Sequence, residues 1–275
     1  MADSPAPILV PLDGSKNSEA ALAAAVTLAG AYGTNLRIVH VIDPETIEQP
    51  VELDRAREIF RDYIDGLMKN VDLTFDTRVV GGSPAREVLD FSNGARMVVL
   101  ASHGRSGIKA ALIGSVADKI VRGATVPTLV VPLDGPAIDS GPVVVGLDGS
   151  DAAEQGLAIA RDIAALLKVR VALVRAYSVP PPAGIEFAAY PVDLTTSLKE
   201  AAEDYVSKAA APGEQAYTAL GSPVQAIADV ATKLSAGLVV MTAHGKGFAH
   251  RVALGSNTDR AMHSLHRPLL VVPVE

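Results

Sequence analysis

The chain has 275 residues, a formal net charge of −7 and no cysteine, and 49% of its residues are apolar. The absence of cysteine excludes disulfides, thiolate catalysis and cysteine-held metal or iron–sulfur centres. An acidic chain without basic runs is a poor match for nucleic acid, whose phosphates need clustered Lys and Arg.

In chain order the pattern alternates strand and helix. Ile8–Leu12 reads as a buried strand, Ser18–Tyr32 as a helix with Ala and Leu on its packing face, and Leu36–Ile42 as a second strand. Val51–Asn70 reads as a polar helix with an apolar stripe, and Thr74–Val80 as an alternating strand. Ser83-Pro84 opens a short helix over Ala85–Asn93, a cap followed by proline at the first helical position. Met97–Ala101, Ser115–Arg122 and Thr128–Val131 complete the first half as strand, helix and strand. The second half predicts strands at Val143–Leu147, Arg170–Arg175, Gln215–Ala219, Leu238–Thr242 and Leu269–Val272. Its predicted helices are Asp151–Leu167, Leu194–Ala211, Val224–Leu234 and Ser256–Leu265.

The halves repeat one another. Pro7-Ile-Leu-Val-Pro-Leu-Asp-Gly-Ser15 returns as Pro142-Val-Val-Val-Gly-Leu-Asp-Gly-Ser150, and Leu112-Ile-Gly-Ser115 as Ala253-Leu-Gly-Ser256. Val126-Pro-Thr-Leu-Val-Val-Pro132 returns as Arg267-Pro-Leu-Leu-Val-Val-Pro273. Leu133–Gly141 reads as a linker, which divides the chain into domains at 1–135 and 141–275. The expected fold is α/β: two tandem open-sheet domains, each with five mostly parallel strands and helices on both faces. Such sheets bind ligands beyond the carboxyl ends of their strands, where strand order reverses.

Two features lie there in each half. Asp13-Gly14-Ser15 and Asp148-Gly149-Ser150 follow the first strand. Each Asp could meet a ribose hydroxyl or a metal, or cap the turn into the next helix. His103-Gly104 leads to Gly114-Ser115, and His244-Gly245 to Gly255-Ser256. Glycines allow positive φ and close backbone approach, and a Gly-Ser pair opening a helix directs free amides and the positive dipole end at one spot, which suits phosphate. Arg105 and Lys246 could screen phosphate charge, His103 and His244 could contact phosphate or a metal or be structural loop residues, and His263 with His266 is too sparse a set to indicate a metal.

These residues resemble the universal stress protein family. Its motif after strand four is Gly, two residues, Gly, nine residues, then Gly-Ser or Gly-Thr. Here Gly104 and Gly245 are each followed by nine residues and then Gly114-Ser115 or Gly255-Ser256. The Val-Pro-Leu-Asp-Gly-Ser opening, His40-Val-Ile-Asp43 and the closing Pro-x-Leu-Val-Val-Pro are also similar. The resemblance implies ATP, with or without Mg, held by Asp13, Val41, Gly104, Gly114 and Ser115, and again by Asp148, Ala176, Gly245, Gly255 and Ser256. It implies a nucleotide-dependent regulatory module and at most a slow ATPase. It also implies pairing of the two domains' fifth strands within the chain, with a homodimer open. The motif's first glycine is Ala101 in one half and Thr242 in the other, so the alternative is a structural or signalling member with degenerate sites. Met1–Pro7 carries no basic stretch or apolar core of a signal peptide, and no apolar run approaches the roughly 18 residues of a membrane span. The expected setting is cytoplasmic, with no membrane partner.

Overall fold

The computed structural model describes residues 5–43, 50–103, 113–179, 192–243 and 254–274. Strands and helices alternate as the sequence pattern requires. The first repeat contains β1 (Ile8–Pro11), α1 (Lys16–Tyr32), β2 (Leu36–Ile42), α2 (Pro50–Met68), β3 (Phe75–Gly81), α3 (Pro84–Ser92), β4 (Met97–Ala101), α4 (Ser115–Gly123) and β5 (Thr128–Val131). The second contains β6 (Val143–Gly146), α5 (Asp151–Leu167), β7 (Val171–Tyr177), α6 (Val192–Ala209), β8 (Gln215–Leu220), α7 (Pro223–Lys233), β9 (Leu238–Thr242), α8 (Ser256–Ser264) and β10 (Leu269–Val272).

The chain forms two compact units, and each is an α/β layer structure. The first comprises Met1–Ile138 with Met262–Pro273, and the second Asp139–Ala261. Strand order in the first is β3-β2-β1-β4-β5-β10. Its first five strands are parallel, and β10 runs antiparallel beside β5 with Leu270 opposite Leu129. The last strand of the second repeat thus belongs to the first unit, where it covers the backbone donors and acceptors that β5 would otherwise expose as an edge. In the second unit the order is β9-β6-β7-β8, all parallel.

The central strands are buried on both faces. Ile8, Leu9 and Val10 are consecutive, so their side chains alternate between faces, yet all are fully buried. Ala21, Ala25 and Ala29 let α1 lie close to β1 and β4. The helix begins at Lys16 rather than Ser18, because Ser15 is its N-cap and its side chain accepts from the Ser18 amide. Strand β7 runs two residues beyond Arg175, in full register with β8, and so takes in Ala176. Strand order changes direction at β1, between β2 and β4, which puts the cleft of the first unit at the carboxyl ends of these strands. Among the described residues no helix is long and apolar enough to cross a membrane.

Candidate functional site

The cleft is a cavity of about 370 Å³, within the size range of small-molecule sites. It brings together Asp13 beyond β1, Val41 near the end of β2, and Gly114 and Ser115 at the start of α4. Gly104 lies outside the described residues. Sequence reasoning had no role for several other lining residues: Pro84 and Val88 of α3, Leu100 of β4, and Ser102 just beyond it. Leu12, Val41, Leu100 and Ile120 make much of the wall apolar.

The tips of α1 and α4 differ in a way that bears on anion binding. At α1 the end is closed. Asp13 Oδ1 accepts from the Ser15 amide at 3.0 Å and the Ser15 hydroxyl at 2.6 Å, and Ser15 Oγ accepts from the Ser18 amide at 3.3 Å. Asp13 therefore fixes the cap while its carboxylate lines the cavity. Ser15→Ala is expected to cost about 1 kcal/mol of stability, read as a lowered urea midpoint. At α4 the N-cap is Gly114, which provides no side-chain hydrogen bond. Among the described residues, no side chain caps the first amides of that helix at its positive end.

Backbone conformation does not require a glycine at this tip. Its φ is −65° and ψ 150°, an extended conformation open to any residue. The surroundings also leave room for a side chain. The Gly114 amide donates to the Ser102 carbonyl at 2.7 Å, and a Cβ would stand 3.4 Å from that same oxygen and 3.7 Å from His103 Cα. Positive φ occurs instead at Gly14, at 79°, in the turn after β1.

Histidines support the walls. His40 Nδ1 lies 2.7 Å from the Leu12 carbonyl oxygen, and its ring stacks on Phe60 with centroids 4.3 Å apart. That contact ties the end of β2 to the end of β1 beside Asp13. Nearby, the Tyr63 hydroxyl donates to Glu19 at 3.0 Å. Burial, then this carboxylate, pushes the Tyr63 pKa up to about 12, and Asp13 adds to the effect. His103 lines the cavity with Nδ1 3.1 Å from Ser102 Oγ, while its buried Nε2 has no hydrogen-bond partner among the described residues.

The second repeat rebuilds the same framework around a smaller space. Asp148 Oδ1 accepts from the Ser150 amide and hydroxyl at 3.0 and 2.6 Å, and Ser150 caps α5. Asp148, Ala176, Gly255 and Ser256 line a cavity of about 170 Å³. Gly245 lies outside the described residues. Gly255 donates to the Ala243 carbonyl at 2.7 Å, as Gly114 does to Ser102. Among the described residues no three His, Asp or Glu side chains gather as a metal site.

The sequence matches the universal stress protein family over residues 6–132 and again over 140–273. It is 28% identical over 284 residues to a universal stress protein of Mycobacterium tuberculosis, covering 96% of each chain. It is also 30% identical over 144 residues to a universal stress protein of Bacillus subtilis, covering 45% of this chain and 97% of that one. The fold is similar to the crystal structure of a universal stress protein from Archaeoglobus fulgidus, with a TM-score of 0.73 and 18% identity over 98% of this chain and 99% of that one. With both halves matched in turn, the chain belongs to the universal stress protein family and carries the family's domain twice.

Proposed function

We propose that this stress-response protein binds ATP or a related adenine nucleotide in the cavity of its first repeat. Occupancy then biases a conformational or partner-binding equilibrium. The observation that carries the reading is the α4 tip, which has no capping side chain among the described residues and opens onto a cavity of about 370 Å³ also lined by Asp13, Val41 and Ser115. Its apolar wall suits a base, the Asp13 carboxylate a ribose hydroxyl, and the α4 amides with the Ser115 hydroxyl a phosphate. The proposed action is binding, with hydrolysis at most slow, in a cytoplasmic setting.

Isothermal titration of nucleotide-free protein with Mg-ATP tests this. Saturable heat below millimolar ligand is expected. No heat at millimolar Mg-ATP, with no nucleotide carried through purification, ends the reading.

A non-binding signalling role with degenerate sites is the second reading, and Thr242 at the lip of the second cavity favours it there. Nucleotide binding by an Ala101→Gly, Thr242→Gly double variant, and not by the natural chain, would establish that second reading.

A further inference from the structure

Strand register aligns the two repeats residue by residue. Pro11 pairs with Val39 and Gly146 with Val174, so His40 corresponds to Arg175 and Val41 to Ala176. The cavities at these matched places differ more than twofold in volume, about 370 against 170 Å³. The smaller falls below the roughly 300 Å³ at which ligand pockets begin.

The lining side chains differ, and part of their added bulk sits over glycines, the Thr242 methyl facing Gly156 of α5, where a Cβ would meet it at 2.9 Å. Leu100, Ala101 and Ala117 of the first cavity are replaced by Met241, Thr242 and Thr258 in the second. Each exchange of Ala for Thr adds a methyl and a hydroxyl at Cβ. Thr258 is buried, and its hydroxyl donates to the Thr242 carbonyl at 2.7 Å, which fixes it against the end of β9. Val88 becomes Ile227, whose Cδ1 lies over Gly146 so closely that a Cβ there would meet it at 2.5 Å. The Met241 side chain approaches the same point, at 3.7 Å. His40 lines the first cavity, and the matching Arg175 has its guanidinium 4.5 Å over the Tyr205 ring.

We infer that the repeats are functionally unequal. The first takes the nucleotide, and the second keeps the framework of the site but leaves too small a space for it among Ile227, Met241, Thr242 and Thr258. Each chain then binds one nucleotide. This rests on the nucleotide reading of the first repeat and adds stoichiometry and the residues that set it.

The test is Mg-ATP stoichiometry on the full nucleotide-free chain, by titration calorimetry and native mass spectrometry. One equivalent per chain is expected. A variant with the second cavity reopened (Ile227→Val, Met241→Leu, Thr242→Ala, Thr258→Ala) should bind two. A variant with the first cavity filled (Val88→Ile, Leu100→Met, Ala101→Thr) should bind at least tenfold more weakly while its circular dichroism spectrum is unchanged. Two equivalents in the natural chain overturn the inference and leave the nucleotide reading standing. One equivalent in a folded, reopened variant also overturns it. If reopening prevents folding, the filled variant decides, and unchanged affinity there overturns it. No binding by any of the three removes both readings together.

Discussion

Gly114→Asp should stabilise the protein and abolish most nucleotide binding. An aspartate at the N-cap is worth a few tenths of a kcal/mol over glycine, and its charge at the positive end of α4 adds about 0.3–1 kcal/mol. The backbone at Gly114 admits a side chain, with φ −65° and ψ 150°, and the nearest protein atom to a new Cβ is 3.4 Å away. The introduced carboxylate would accept from the same amides that a phosphate needs and would repel the phosphate itself. The expected result is a melting temperature raised by about 1–4 °C and affinity for Mg-ATP lowered at least about 100-fold, equivalent to about 2.7 kcal/mol. The opposite signs are what make the experiment useful, since a glycine needed only for folding would show lost stability. An affinity within threefold of the natural chain would mean that phosphate does not sit at the α4 tip.

Glu214→Gln should cost the second unit about 2 kcal/mol. Arg161 grips the Glu214 carboxylate with two parallel bonds, Nε to Oε1 at 2.8 Å and Nη2 to Oε2 at 2.7 Å, and also donates to the Ala209 carbonyl at 2.7 Å. The Ala211 amide donates to Glu214 Oε2 at 2.7 Å. One ion pair therefore ties α5 to the turn between α6 and β8. Glu214 is largely buried, but Arg161 is 36% exposed, so screening by water keeps the cost below that of a fully buried pair.

The hydrogen bond from Arg161, and then the Ala211 amide, hold the Glu214 carboxyl below its usual pKa against an opposing effect of burial. A pKa lowered on folding contributes stability that is complete above the unfolded carboxylate range and is lost as pH falls through the folded value. The gap in urea midpoint between natural and variant chains should therefore be constant near pH 7 and shrink on acidification below about pH 4. A gap independent of pH down to pH 2 would show that the charge of Glu214 contributes nothing.

Fold and duplication were legible because both are local or periodic properties. Each strand–helix alternation is carried by apolar spacing, and each repeat by residues such as Asp13 and Asp148 that return in order. Element ends were less legible. Whether α1 starts at Lys16 or Ser18 depends on which serine caps it, and that is decided by a hydrogen bond from the Ser18 amide to Ser15. The role of Gly114 was also misleading by type, since glycine permits positive φ but here the backbone is extended and a Cβ would make only ordinary contacts. His40 stood in a motif, yet its stacking on Phe60, twenty positions away in sequence, depends on α2 folding back over β2.

The sequence by itself determined that the chain is a duplicated α/β protein of the universal stress family, and it marked Asp13, Val41, Gly114 and Ser115 as residues to be brought together. Tertiary structure alone decided how much space remains among them. Volume is what is left after side chains from β1, β2, β4, α3 and α4 have packed, and the effect of one exchange depends on its neighbours. Gly146 makes room that Ile227 takes up and Gly156 room that the Thr242 methyl takes up, while Thr258 adds atoms where the first repeat has Ala117. The same motif therefore encloses two cavities of different size. Packing likewise joined β10 to the first unit, because the backbone groups along β5 are paired by whichever strand lies beside them.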